Sequence, residues 1–188
     1  MCRHSGKTIW IMGIPLSGKT TIGVMLYEWL IFNGWDVEHL DGDVIRKSLC
    51  DNLGFSKEDR LENIKRIRFL CNLLNKHSVC TIVSLVTPYQ EMRDDNRKYI
   101  KDYTEIWLNA SLDTCLKRDN RYVYDDSGKM KTSTGFGKLN MFDLFDLPKN
   151  PDVICYTDKE TVEESMEKIL KYIFRKRWEI WETIKGKQ

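Results

Sequence analysis

Gly13-Ile14-Pro15-Leu16-Ser17-Gly18-Lys19-Thr20 (GIPLSGKT) is the stretch on which the reading of the whole chain turns. It fits the spacing G-x-x-x-x-G-K-[ST], in which glycines let backbone N–H groups turn inward around phosphate oxygens. A strand pattern, Thr8 to Gly13 (TIWIMG), runs into it, and a helix pattern from Lys19 to Phe32 leaves it, stopped by Asn33-Gly34. That order puts the positive end of a helix against the phosphates. Gly13 to Thr21 is therefore expected to cradle the phosphates of ATP, with Lys19 reaching the β- and γ-phosphates and the Thr20 hydroxyl ligating Mg²⁺.

Working outward, strand and helix patterns alternate. Asp36 to Leu40 reads as a second strand ending at Asp41. Ser56 opens a helix to about Lys76, with Asp59 three residues on in a capping-box-like arrangement. Val79 to Val86 is an apolar β-branched strand. Pro88 starts a helix to about Lys101, Thr104 to Leu108 is a fourth strand, and Ser111 caps a helix through Arg118. Val153 to Tyr156 is a short fifth strand, and Thr161 to about Trp181 a long C-terminal helix. Such alternation predicts an α/β protein of P-loop NTPase type, a parallel five-stranded sheet with helices on both faces. Residues 119–150 are polar and lack periodicity, which predicts a mobile lid. No repeat or linker interrupts the chain, so residues 1–188 read as one kinase domain.

Bulk composition fits this picture. The chain has 188 residues, 41% hydrophobic and 31% charged. Its 30 basic and 28 acidic residues leave a net charge of +2, which gives no footing for a nucleic-acid polymer or a membrane surface as partner. None of the six cysteines shows C-x-x-C spacing, and several sit in apolar runs as small core residues. The start is short and polar, without a signal-peptide pattern, and no apolar run reaches about 18 residues. A reducing cytoplasm is the expected compartment. His4, His39 and His77 show no ligand spacing.

Two further clusters fall where strands end, which is where open α/β sheets bind ligands. In Asp41-Gly42-Asp43, one carboxylate can support the Mg²⁺ shell and the other can accept a hydrogen bond from an attacking hydroxyl. The bland alternative is a polar turn with Asp43 capping a helix. Arg46, Phe55, Arg60 and Asn63 follow within twenty residues. Guanidinium forks and an amide suit an anionic acceptor, and Phe55 can stack on a base. Singly, surface arginines and a core phenylalanine would explain them equally well.

The block LDGDVIRKSLCDNLGFSKEDRLENIKRI (Leu40 to Ile67) resembles adenylylsulfate kinases, which phosphorylate the 3′-hydroxyl of adenosine 5′-phosphosulfate. The similarity continues in SLVTPYQEMRDDNR (Ser84 to Arg97) and Arg118-Asp119, and weakens through GKMKTSTG (Gly128 to Gly135) and FDLPKNPD (Phe145 to Asp152). The resemblance implies that Asp43 contacts the acceptor hydroxyl as candidate base, with Asp41 helping the metal. Arg46, Arg60 and Asn63 would hold the phosphosulfate, and Phe55 would stack on the base. Thr87 stands where the family has a serine described as a phosphorylated intermediate, although direct in-line transfer needs only positioning and charge stabilisation. Lys131 would approach the phosphates or acceptor, and Arg118 would close over the ATP side.

The pattern also breaks. Where the family lid carries K-G-L-Y-K-[KR]-A, this chain has Asn120 to Asp126, and the family's F-T-G reads Ser133-Thr134-Gly135. That phenylalanine forms the second wall of an adenine sandwich, so Phe136 or Tyr124 would have to replace it. A related family acts on cytidine diphosphoramidate with the same arginine clamp and is the alternative acceptor reading. A nucleoside monophosphate kinase and a non-catalytic nucleotide-binding protein are further alternatives, opposed by the D-G-D block and by the presence of Lys19, Thr20, Asp41 and Asp43. Trp178 and Trp181, three apart on one helical face, would pack on this chain's own core or cover a homodimer partner.

Overall fold

The computed structural model describes residues 5–119 and 145–175. Five strands form one parallel sheet: β1 (Thr8–Met12), β2 (Val37–Asp41), β3 (Cys80–Leu85), β4 (Tyr103–Leu108) and β5 (Val153–Cys155), in the order β2-β3-β1-β4-β5. The helices among the described residues are α1 (Lys19–Phe32), α2 (Gly42–Ser48), α3 (Lys57–Lys76), α4 (Gln90–Tyr99), α5 (Leu112–Lys117) and α6 (Val162–Ile173).

Strand alternation sorts the core into two layers. From β1, Ile9 and Ile11 join Ile22, Leu26 and Leu30 of α1 and Met166 and Ile169 of α6. From the other face of β1, Trp10 and Met12 join Ile45 of α2, Ile64 and Ile67 of α3 and Met92 of α4. Because both faces of β1 are covered, its five residues are all buried, which explains the continuous apolar run. Each fully buried Ile or Leu stabilises the fold by about 1.5–3 kcal/mol. Gly23 of α1 sits where the helix presses on the sheet: a Cβ there would lie 2.5 Å from His39 Nε2 and 2.6 Å from Ser84 Oγ.

Capping follows the sequence signals. Ser56 Oγ accepts from Asp59 N, Ser111 Oγ from Thr114 N, and Thr161 forms a reciprocal capping box with Glu164. Two boundaries differ from expectation. Helix α2 begins directly at the acidic strand end, with Asp41 rather than Asp43 as its cap. Helix α4 starts at Gln90 rather than Pro88, because the Gln90 amide is met by Asp146 Oδ2 at 2.8 Å. Helix α6 is described over Val162–Ile173, and the remainder of the stretch expected to continue to Trp181 lies outside the described residues beyond 175. Trp178 is among the residues not described, as are most of those read as a lid.

Cys50, Cys71, Cys80, Cys115 and Cys155 are free and buried, in keeping with small core residues. Burial pushes the thiols of Cys71, Cys115 and Cys155 up to about 11, and that of Cys80 to about 12. No helix among the described residues is long and apolar enough to cross a membrane.

Candidate active site

The loop between β1 and α1 owes its shape to two glycines. A Cβ on Gly13 would lie 2.6 Å from both Leu108 O and Ser17 Oγ. Gly18 has φ 100° and caps α1 in the left-handed region that glycine enters without strain. The first intrahelical bond runs from Ile22 N to Gly18 O at 3.0 Å, so the amides of Lys19, Thr20 and Thr21 precede the helical ladder, at its positive end. Lys19 Nζ donates to Ile14 O at 2.8 Å, folding the side chain back over its own loop. Two outside groups brace the loop. Thr157 Oγ1 donates to Ser17 O at 2.9 Å, and the Arg118 guanidinium donates to Leu16 O at 3.5 Å and to Thr157 O.

At the end of β2, Asp41 serves two partners at once. Its Oδ1 accepts from Asp43 N at 2.9 Å, which starts α2, and its Oδ2 accepts from the Thr20 hydroxyl at 2.8 Å. This joins the D-G-D turn to the phosphate loop. Thr20 and Asp41 offer hard oxygen donors side by side, which fits Mg²⁺, an ion usually held through one or two carboxylates, substrate phosphates and water. Among the described residues there is no group of three or more His, Cys, Asp or Glu able to hold a metal ion. A hydroxyl-plus-carboxylate pair needs no such group.

The opposite wall is basic and aromatic. Arg46 is anchored by Nη1 to Gly54 O at 2.9 Å and lies 4.1 Å from the centre of the Phe55 ring. Arg60, 6% exposed, is anchored by Nε to Phe55 O at 2.9 Å, with its guanidinium 5.6 Å from the same ring. Burial pushes the Arg60 pKa down to about 10, and the neighbouring Arg46 charge pushes the same way. An anion in this place would be stabilised by both guanidinium groups. Asn63 is buried on the same helix, and its Oδ1 has no hydrogen-bond partner among the described residues. A buried carbonyl oxygen without a partner is costly unless a ligand supplies the donor.

These walls enclose one cleft of about 940 Å³, large enough for two small ligands. Pro15, Leu16, Ser17, Gly18, Lys19, Thr20, Thr21, Asp41, Asp43 and Arg118 line it, as do Arg46, Phe55, Arg60, Asn63 and Thr87. Gly13 and Ile14 do not line it; Ile14 packs with Ala110, Cys115 and Phe145 in a small core behind the loop. Lys131, Ser133, Tyr124 and Phe136 lie outside the described residues.

Thr87 is 2% exposed, and its hydroxyl accepts a 2.8 Å hydrogen bond from Nε1 of the fully buried Trp10. Its φ of 47° is rare for a β-branched residue. The geometry gives this side chain a structural partner.

Several cleft residues carried no motif. Thr157, Glu160 and Val162 line the nucleotide side and reach it only through the β5–α6 connection. His39 and Ser84 lie beneath α1: His39 Nε2 meets Ser84 Oγ at 2.9 Å, and Ser84 Oγ donates to Lys19 O at 3.2 Å.

A parallel sheet with a phosphate loop after β1, carboxylates at the end of β2 and a deep shared cleft defines a P-loop kinase. The adenylylsulphate kinase family model matches residues 5–156. The chain belongs to the adenylylsulphate kinase family. It is 44% identical over 170 residues to an adenylyl-sulfate kinase of Picosynechococcus, covering 89% of this chain and 93% of the relative. An adenylyl-sulfate kinase of Halothermothrix orenii is 38% identical over 178 residues, with 94% of each chain covered. Among solved structures, the Mycobacterium tuberculosis APS kinase CysC in complex with AMPPNP and APS superposes with a TM-score of 0.79 at 28% identity, covering 90% of this chain and 98% of that one. A Sinorhizobium meliloti gluconokinase, 16% identical with a TM-score of 0.67, shares the fold.

Proposed function

We propose that this protein is an ATP-dependent kinase that transfers the terminal phosphate of ATP to the ribose 3′-hydroxyl of adenosine 5′-phosphosulfate. One observation carries the proposal beyond family membership. A single cleft holds a phosphate loop and, across from it, two guanidinium groups over Phe55 beside Asn63 Oδ1, which has no hydrogen-bond partner among the described residues. That wall matches an anionic nucleotide with a base to stack and a charged group to clasp.

In this mechanism the amides at the start of α1 hold the ATP phosphates, and Lys19 leaves Ile14 O to reach them. Thr20 and Asp41 would hold Mg²⁺, which when bound neutralises charge on the β- and γ-oxygens. Arg46 and Arg60 grip the acceptor's anionic end, and its base stacks on Phe55. Asp43, one turn before Arg46 on α2, receives the hydrogen bond of the acceptor hydroxyl and takes its proton late in the in-line transfer. Arg118, with Lys131, offsets charge on the moving phosphoryl group. Thr87 shapes the acceptor wall, where it is buried and accepts a hydrogen bond from Trp10, and direct in-line transfer needs no phosphate on its hydroxyl.

The test is ADP release with adenosine 5′-phosphosulfate and cytidine diphosphoramidate offered side by side. Turnover of the adenine substrate is expected to dominate. A preference for the cytidine substrate would reject the acceptor and leave the kinase standing. ADP release with a nucleoside monophosphate alone would reject the hydroxyl-acceptor chemistry.

A further inference from the structure

Helix α4 carries an arginine on its buried side. Arg93 is 1% exposed and lies beside Met92 and Asn96, which are also buried. A long cation is rarely buried so fully unless its donors are satisfied. Here they are, by groups from two separate segments. Nη1 donates to Thr87 O at 2.9 Å and to Pro88 O at 3.3 Å. Nη2 donates to Asp146 O at 2.6 Å and to Gln90 Oε1 at 2.9 Å. The guanidinium also lies 5.5 Å from the centre of the Phe145 ring. Burial lowers the Arg93 pKa, while Glu105 and Asp146 pull it back, so the group stays charged.

The same two segments are stitched a second time by backbone amides. Asp146 N donates to Pro88 O at 2.8 Å, and Gln90 N donates to Asp146 Oδ2 at 2.8 Å. Gln90 Oε1 further accepts from Lys149 N at 3.3 Å. All these bonds converge on the turn after β3, where Thr87 and Pro88 line the cleft. That turn is strained: Thr87 sits at φ 47°, a conformation that persists only when its surroundings over-determine it. Trp10 holds its side chain and Arg93 holds its carbonyl.

We infer that Arg93 is a positioning residue for the kinase reaction: with Gln90 and Asp146 it locks the strained Thr87–Pro88 turn to the Phe145–Asp146 segment, and so fixes the acceptor side of the cleft. It touches no reacting atom. It acts through the turn, opposite the phosphate loop. A lysine keeps the charge but has one nitrogen in place of a planar fork, and cannot reproduce the same two-segment bridge. The inference rests on the acceptor reading above for its kinetic consequence, and on geometry alone for the lock.

The experiment uses the full chain carrying Arg93→Lys and, separately, Gln90→Ala, which removes the Oε1 acceptor and leaves the arginine in place. Acceptor KM, kcat and ATP affinity are measured beside amide hydrogen exchange of the segments that contain Gln90 and Asp146. Both variants are expected to raise the acceptor KM about tenfold or more while ATP affinity stays within about twofold, as for a lost wall of one subsite. Exchange at Gln90 and Asp146 should speed up together, with α1 unchanged. An unaltered acceptor KM in folded variants would overturn the inference, as would parallel weakening of ATP. Independent exchange at the two segments would overturn the lock even if the wild-type protein turned over no adenosine 5′-phosphosulfate, a result that by itself rejects only the acceptor reading. Should Arg93→Lys fail to fold, Gln90→Ala decides by the same readouts.

Discussion

The two walls of the cleft are built on opposite principles. On the nucleotide wall, the two cations are engaged with backbone carbonyls of the loop and of Thr157: Lys19 with Ile14 O, Arg118 with Leu16 O and Thr157 O, while the Thr157 hydroxyl donates to Ser17 O. Binding there is an exchange, in which Lys19 gives up a carbonyl for a phosphate. On the acceptor wall, Arg46 and Arg60 are each pinned by a carbonyl of the Gly54–Phe55 turn, and a buried amide oxygen has no partner among the described residues. Binding there fills a prepared site. Preorganisation therefore favours an anion on the acceptor wall, whereas on the nucleotide wall a phosphate has to replace the carbonyl that holds Lys19.

The largest effect should come from the wall that rearranges. Lys19→Ala is expected to lower turnover about 10²–10³-fold, as for loss of one charge-stabilising donor, measured as ADP release at saturating substrates. A loss below about tenfold would mean that the cradle amides carry the charge without it. On the prepared wall, Phe55→Ala should raise the acceptor KM about tenfold to a hundredfold, from about 1–3 kcal/mol of lost stacking, with ATP affinity unchanged. If ATP affinity fell equally, the two walls would not be separate subsites.

Thr87→Val sharpens the boundary between chemistry and support. It removes the acceptor of the Trp10 bond and should cost about 1–3 kcal/mol of stability, read by chemical denaturation, while phosphate transfer continues. Abolished transfer in a folded protein would make the hydroxyl a participant. The smallest effect concerns His39 beneath the phosphate loop. Burial holds its pKa below the ordinary 6.5, against the pull of Asp41 and Glu38. The unfolded chain therefore takes up a proton that the folded one resists, and the stability present above about pH 6.5 is lost as pH falls through the folded value. His39→Gln should show a shallower loss of melting temperature between about pH 7 and 5 than wild type. Identical slopes would place the acid sensitivity elsewhere.

How much of this was legible from sequence depended on distance along the chain. The phosphate loop, its strand and its helix are local, and their boundaries agree with the structure to within a residue or two. Capping signals at Ser56 and Ser111 were equally local. The start and extent of helix α2 were not legible, because seven residues give too little periodicity and D-G-D reads first as a turn. The start of α4 was set by Asp146, 56 residues away from the amide it caps. Thr157 reaches Ser17 across 140 positions, and no local spacing announces such a contact. Arg93 left one faint trace, a charge on the helical face that Met92 and Asn96 mark as inward. The carboxylate roles were half visible: the turn was seen, but only the structure reveals that Asp41 caps the helix and meets Thr20 with its other oxygen.

Asp43 is where the two walls are proposed to cooperate, so its substitution tests the account most directly. ADP release by Asp43→Asn at saturating ATP and adenosine 5′-phosphosulfate is to be measured beside the ATP affinity of the same variant. Turnover is expected to fall about 10²–10⁴-fold with ATP affinity unchanged, as when a group acting on the acceptor proton is lost. Equal loss of both, or turnover near wild type, would contradict it.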